Sequence, residues 1–411
     1  MQPEIRIFPH GRGRGHLVPR AAFGATRAWC LGLLLVALAG CSRSWPEFEP
    51  VLQRFGERLA ADVAADSIGS IVAAVSRGER AIWERGFGLA DAGHGIPARP
   101  DMIYRTGSIS KSFTAVALMQ LVDAGVIDLD RTAVEHLPAL ADLAERPPGT
   151  APITFRQLAS HTAGLIREPR LEGAAAGPIS GWEEKILASI PTTAFRSAPG
   201  EEYSYSNIGF GILGLTISRA AGIGFMQLVE ANIFDPLNMT GSTFIITPEL
   251  AERLAVGYAN NRRGEVDSER PAREHAGRGY KVPNGGIYST VGDLARFAAA
   301  VSGFSRRAIL SEEARAEMLS FQTPEREVGA DAGSAVTGYG LGFSLYRTPD
   351  GILLAGHGGS VSGYTAHLLF EPESGLSVVL MRNYNSGATN LGQIAREVLL
   401  ELVAIYRSNN D

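Results

Sequence analysis

Apolar residues follow two different periods along the chain. Phe48, Val51, Leu52, Phe55, Leu59 and Val63 recur at helical spacing and predict an amphipathic helix over about 46–65. Residues 70–76 and 80–89 read as two strands around a turn at Arg77-Gly78-Glu79. A short strand is expected at 103–106. The next segment, 108–123, carries Phe113, Val116, Ala117, Met119, Leu121 and Val122 and reads as an apolar helix stopped by Gly125. From there to about 280 the pattern is mostly helices and loops, clearest at 154–160, 208–221 and 225–234. The charged stretch 260–278 reads as a mobile loop. Gly285-Gly286-Ile287-Tyr288-Ser289 leads into helices at 291–301 and 312–319. Strands are then expected at 340–346, 352–356, 363–370 and 376–382. A last helix over about 389–406 has the face Leu391, Ile394, Val398, Leu399, Leu402 and Ile405.

Consecutive strands joined by short turns imply an antiparallel sheet. Terminal helices packed on it, with an all-helical insert, give an α+β fold class. The expected division is an α/β sandwich from 51–107 and 283–411, and a mostly helical domain from 108–282. A cleft between sheet edge and insert is the natural place for a site. Composition agrees with a globular body: of 411 residues, 45% are hydrophobic and 20% charged, which excludes a disordered chain or a polytopic membrane protein. The net charge of −5 gives no electrostatic reason for a nucleic-acid partner. Cys30 and Cys41 are the two cysteines, so no disulfide framework is available.

The first 29 residues are basic, with Arg6, Arg12, Arg14, Arg20 and Arg27 against Glu4 alone, and an apolar run follows over 31–39. That run is about half the ~20 residues needed to span a bilayer. It has the layout of a secretory signal. Leu38-Ala39-Gly40-Cys41 resembles a bacterial lipobox. The alternative is a plain signal peptide with a chance cysteine. On the lipobox reading, residues 1–40 are removed, Cys41 is lipidated and 41–50 form a tether. The protein is then an exported lipoprotein, membrane-anchored and periplasmic or otherwise extracytoplasmic. Ser42 after the cysteine resembles the pattern for outer-membrane sorting in a host with two membranes.

The chemistry is carried by three short stretches. Ser108-Ile109-Ser110-Lys111 opens a helix, where residues i and i+3 share one face. A serine hydroxyl needs a base beside it, and a lysine amine becomes one when desolvation lowers its pKa. Arginine cannot do this. Of 38 basic residues, Lys111, Lys185 and Lys281 alone are lysine, so a lysine three residues after a serine carries information. Tyr205, in Tyr205-Ser206-Asn207, offers a phenol that can relay a proton. Asn207 could bind a substrate amide or the lysine. His357-Gly358-Gly359-Ser360 is expected between two strands, where glycines let backbone approach a substrate. The amides of Ser108 and Ser360 could hold an oxyanion.

Together these stretches resemble the serine β-lactamase and penicillin-binding protein superfamily, in particular its class C-like branch. Supporting stretches are Thr106-Gly107-Ser108-Ile109-Ser110-Lys111, residues 153–165 with Ser160-His161-Thr162, Tyr203-Ser204-Tyr205-Ser206-Asn207, and Gly356-His357-Gly358-Gly359. The resemblance covers roughly 50–405. It implies Ser108 as the acylated nucleophile, Lys111 as its activator and Tyr205 as the proton relay. It places Asn207, His357, Gly359 and Ser360 in the substrate and oxyanion region. It implies a helix-flanked antiparallel sheet with an all-helical insert. Many relatives carry Lys-Thr-Gly where this chain has His357-Gly358-Gly359. A histidine is mostly neutral near pH 7, so selection for a carboxylate-bearing β-lactam is not implied.

No cofactor and no metal are expected. Gly209, Gly211 and Gly214 match a dinucleotide-binding pattern, but no strand-turn-helix unit frames them, and close helix packing explains them better. His161 reads as structural. The leading expectation is a serine hydrolase acting on an ester, amide or peptide. The alternatives are a D-alanyl-D-alanine carboxypeptidase or β-lactamase activity, and a non-catalytic lipoprotein that holds cell-wall peptides.

Overall fold

The computed structural model describes residues 45–410 apart from 145, 261–265, 273–277 and 329–333. Cys41 and the expected leader lie outside the described residues. Its helices are α1 (Glu49–Asp66), α2 (Ser110–Asp123), α3 (Phe155–Ala159), α4 (Trp182–Ser189), α5 (Asn207–Ala221), α6 (Phe225–Val229), α7 (Pro248–Ala251), α8 (Val282–Gly285), α9 (Val291–Val301), α10 (Glu312–Met318) and α11 (Leu391–Ser408). Its strands are β1 (Ser70–Arg77), β2 (Arg80–Asp91), β3 (Ile96–Pro97), β4 (Tyr104–Arg105), β5 (Gly257–Asn260), β6 (Val266–Ala272), β7 (Tyr288–Ser289), β8 (Arg326–Val328), β9 (Ala335–Tyr339), β10 (Ser344–Arg347), β11 (Leu353–Val361), β12 (Tyr364–Phe370) and β13 (Leu376–Arg382).

Nine strands form one antiparallel sheet in the order β3-β2-β1-β13-β12-β11-β10-β9-β8. The first long strand, β1, thus pairs with the last, β13, and both are buried on two faces. Ile71, Ala73 and Val75 point to one side, against α1 and α11. Val72 and Ala74 point to the other, into the core shared with α2 and α9. Two-sided burial is why these strands read as unbroken apolar runs. The α+β architecture expected from the element order is the one found.

Helix α2 is the axis of the larger core. Twelve of its residues are buried, from Ser110 to Leu121, which explains an apolar sequence without a polar face. Phe113 stacks on Phe297 of α9 with centroids 3.8 Å apart. Part of the expected loop at 260–278 is instead a strand pair, β5 with β6. Backbone hydrogen bonds carry that ladder, so a polar sequence can form it, and the Tyr258 amide anchors it on the Asn383 carbonyl at 2.7 Å. The expected helix at 225–234 is α6 followed by a π turn, Glu230–Phe234. The edge strand β8 and its neighbour β9 were not anticipated.

Candidate active site

Strand β4 delivers the chain to a single 3-10 turn, Gly107–Ile109, which leads into α2. Gly107 has φ +54°, a left-handed conformation that glycine adopts without strain and that sets Ser108 at the head of the helix. Ser108 is half-buried; Lys111, one turn on, is completely buried. The Lys111 Nζ lies 3.0 Å from Ser108 Oγ and donates to the Asn284 carbonyl at 3.0 Å. It also sits 4.9 Å from the centre of the Tyr205 ring. Desolvation, and then the nearby Arg167, hold its pKa well below the usual lysine range, with Lys281 adding to this and Glu168 opposing it.

Tyr205 enters from the segment before α5. Burial pushes its phenol up to about 12, against the opposing effect of a hydrogen bond with Ser108. Its ring rests on His161, centroid to centroid 4.2 Å. His161 itself has φ +60°. Its Nδ1 accepts the Ser206 amide at 3.0 Å, and its carbonyl accepts the Ser204 amide at 2.8 Å. It therefore clamps the segment that presents Tyr205, and this is the structural part the sequence suggested for it.

The other wall is β11. His357-Gly358-Gly359-Ser360 lies inside this strand, which runs on to Val361 and not, as expected, only to 356. Without side chains at Gly356, Gly358 and Gly359, the sequence there looks like a strand end. A Cβ on Gly359 would sit 1.9 Å from the Thr106 carbonyl oxygen and 3.2 Å from the Ser108 nitrogen; one on Gly107 would sit 2.7 Å from the Ser360 nitrogen. Bare backbone on both sides brings the amides of Ser108 and Ser360 to one crevice. Asn385 secures this end of β11 by donating to Ser360 Oγ at 3.2 Å and to the Val361 carbonyl at 2.6 Å. His357 is buried. Its Nδ1 donates to the Gly358 carbonyl at 2.6 Å, and its Nε2 accepts from the Tyr339 hydroxyl at 3.0 Å. Desolvation, with Lys111 nearby, pushes its pKa down to about 3, so the ring is neutral. Both nitrogens are engaged inside the protein, so the ring supports the wall through Tyr339.

Comparison with known proteins decides the family. The family model described as Beta-lactamase matches residues 55–402. The chain belongs to the β-lactamase family. It is a serine hydrolase of that family, within the wider β-lactamase and penicillin-binding protein superfamily. It is 27% identical over 370 residues to the D-alanyl-D-alanine-carboxypeptidase/endopeptidase AmpH of Escherichia coli strain K12, covering 87% of this chain and 90% of that one. It is 27% identical over 351 residues to the esterase EstB of Burkholderia gladioli, covering 76% and 85%. The octameric penicillin-binding protein homologue from Pyrococcus abyssi superposes with a TM-score of 0.72 at 26% identity, covering 87% and 80%.

In this member of the β-lactamase family the helical side of the crevice carries charges that the motifs did not single out. Asn207, at the start of α5, donates from Nδ2 to Glu168 Oε1 at 2.6 Å. Its amide side chain is thus committed to the rim and not to Lys111. Lys281 approaches Glu168 at 3.6 Å, and Arg167 does so at 4.0 Å while lying over the Tyr205 ring at 5.0 Å. Asn284, the Lys111 partner, donates to the Asn207 carbonyl at 2.9 Å. A signal for Lys281 was present in the rarity of lysine; Arg167, Glu168 and Asn284 had none. The glycines of α5 serve packing: a Cβ on Gly214 would meet Pro283 at 2.3 Å. Among the described residues no three His, Cys, Asp or Glu side chains converge as metal ligands would.

Proposed function

We propose that the protein is an exported serine hydrolase that forms an acyl-enzyme on Ser108 and releases it to water. The observation that carries this reading is the contact of Ser108 Oγ with a wholly buried amine at 3.0 Å, closed over by the Tyr205 phenol. Desolvation favours the uncharged form of such an amine, whose lone pair can take the serine proton. The Ser108 oxygen then adds to the substrate carbonyl, and the carbonyl oxygen takes the negative charge between the amides of Ser108 and Ser360. As the tetrahedral centre collapses, the phenol passes its proton to the leaving alkoxide or amine and recovers one from Lys111. Water repeats the sequence on the acyl group, returning the proton to Ser108.

An ester or small amide is the preferred substrate, because neutral His357 offers no fixed charge to a substrate carboxylate. A second reading, cleavage of D-amino peptides or β-lactams, draws on the cationic Arg167 and Lys281 at the rim and on similarity to AmpH. A fluorophosphonate probe followed by intact-mass measurement tests the mechanism. One adduct on the wild-type protein and none on Ser108→Ala is expected; equal labelling of both overturns it. Anchoring through Cys41 is part of the proposal, supported by Leu38-Ala39-Gly40-Cys41 and the basic leader. Metabolic labelling with an alkyne fatty acid should mark the wild-type chain and not Cys41→Ser.

A further inference from the structure

Under α11 the sheet is covered with aliphatic side chains for most of its length, Leu354, Leu369, Val378 and Leu380 meeting Leu399 and Leu402. At the first turns of α11 this packing continues through Leu391, Ile394 and Ala395, but the flank that carries Gly392, Gln393 and Arg396 stands off the sheet. A cavity of about 520 Å³ opens between β10, β12 and α11 and extends toward Tyr203 and Arg326. Its back is bare main chain. A Cβ on Gly358 of β11 would come within 3.2 Å of the His367 ring, and one on Gly392 of α11 within 3.0 Å. The imidazole is therefore wedged between two backbones, and its nitrogens have no hydrogen-bond partner among the described residues. Burial and the nearby Arg396 push its pKa down to about 4.

The other lining groups have one sign. Arg396 lies over the Tyr346 ring at 4.9 Å and Arg326 over the Tyr203 ring at 5.9 Å. Neither guanidinium is ion-paired among the described residues, and no Asp or Glu lines the cavity. Arg326 is exposed and Arg396 half-buried, so both guanidinium groups stay accessible to a ligand at the mouth of the cavity. A ligand carboxylate would satisfy the guanidinium groups, and the two tyrosine faces would take an apolar body. Ser108, Lys111 and Tyr205 do not line this space. It adjoins them from behind: Tyr339 lines it and holds His357, while Tyr203 packs on His161 at 5.8 Å.

We propose that this cavity is a second binding site, for a small molecule that joins a carboxylate to an aromatic or short aliphatic body. The carboxylate comes either from the far end of a long substrate or from a separate acid.

Binding is measured on the full Ser108→Ala chain, so that no result depends on turnover. Benzoate is the probe and benzamide its neutral counterpart. Benzoate is expected to bind at least about tenfold more tightly than benzamide, and Arg396→Gln to weaken it by about tenfold or more, as loss of a charge-assisted contact does. Benzoate should also move the His367 Cε1–H resonance and raise its titration midpoint. Equal binding of the two probes, or unchanged benzoate affinity in both Arg396→Gln and Arg326→Gln, overturns the proposal. Arg326→Gln, on an exposed edge strand, covers the case in which the helix variant misfolds. Kinetics of the wild-type enzyme separate the two sources. Benzoate competing only with a p-nitrophenyl ester that bears a terminal carboxylate supports a substrate tail. Benzoate altering kcat alike for that ester and for p-nitrophenyl acetate supports a separate acid.

Discussion

On the proposed mechanism, the buried amine of Lys111 ties catalysis to a stability cost. Its pKa in the folded chain is well below that of the unfolded chain, about 10.4. Between those two values the unfolded state holds one more proton, so the contribution of this group to stability increases as pH rises and is least favourable below the folded pKa. Lys111→Met removes that dependence. The melting temperature of the variant relative to wild type is expected to fall steadily from pH 7 to pH 10 in calorimetry, while ester turnover drops by about 10²–10⁴-fold, the scale of a positioned proton-transfer group. A flat difference across that range would contradict the buried, uncharged amine. His357 gives a complementary expectation. With a pKa near 3 it stays neutral above about pH 4, so kcat/KM should lack an inflection near 6.5 that His357→Gln removes. If the rim takes a carboxylate, Arg167→Gln should raise KM for acidic esters and leave KM for neutral esters within about twofold, as expected for an exposed charge. Ser108 and Lys111 were legible because their chemistry demands those residue types three positions apart, and Tyr205 because its stretch resembles a family motif. Arg167, Glu168 and Asn284 were not, since ordinary charged or amide residues become part of a site only through the folding of distant loops.

At the scale of elements, the decisive contact is between the turn before α2 and strand β11. Backbone there meets backbone, so a methyl group has nowhere to go. Gly359→Ala would press on the Thr106 carbonyl and must displace either the strand or the turn. Overpacking of this kind costs roughly 1–3 kcal/mol. The shift it forces at Ser108 and Ser360 should cost activity about 10²-fold, which thermal melting and steady-state ester hydrolysis on one sample would separate. Most helices and the central strands announced themselves by period, because packing decides both their sequence and their conformation. The failures have a common cause. β11 continues through glycines that carry no pattern, the β5–β6 pair is held by main chain beneath a polar sequence, and β8 is exposed at all three positions. A strand without alternating apolar side chains leaves no period to read.

For the whole molecule, the pairing of β1 with β13 determines where everything else lies. It brings α1 and α11 side by side on the face away from Ser108, joined by Arg54 with Glu401 and by Arg58 with Glu397 at 2.9 Å. The segment before α1 and the end of α11 meet as well: the rings of Trp45 and Tyr406 are 6.3 Å apart. Order along the polypeptide is therefore nearly independent of arrangement in space. A circular permutant, closed by a short linker between residues 410 and 45 and reopened in the exposed turn at 93–95, should retain the same crevice and hydrolyse esters at a comparable rate.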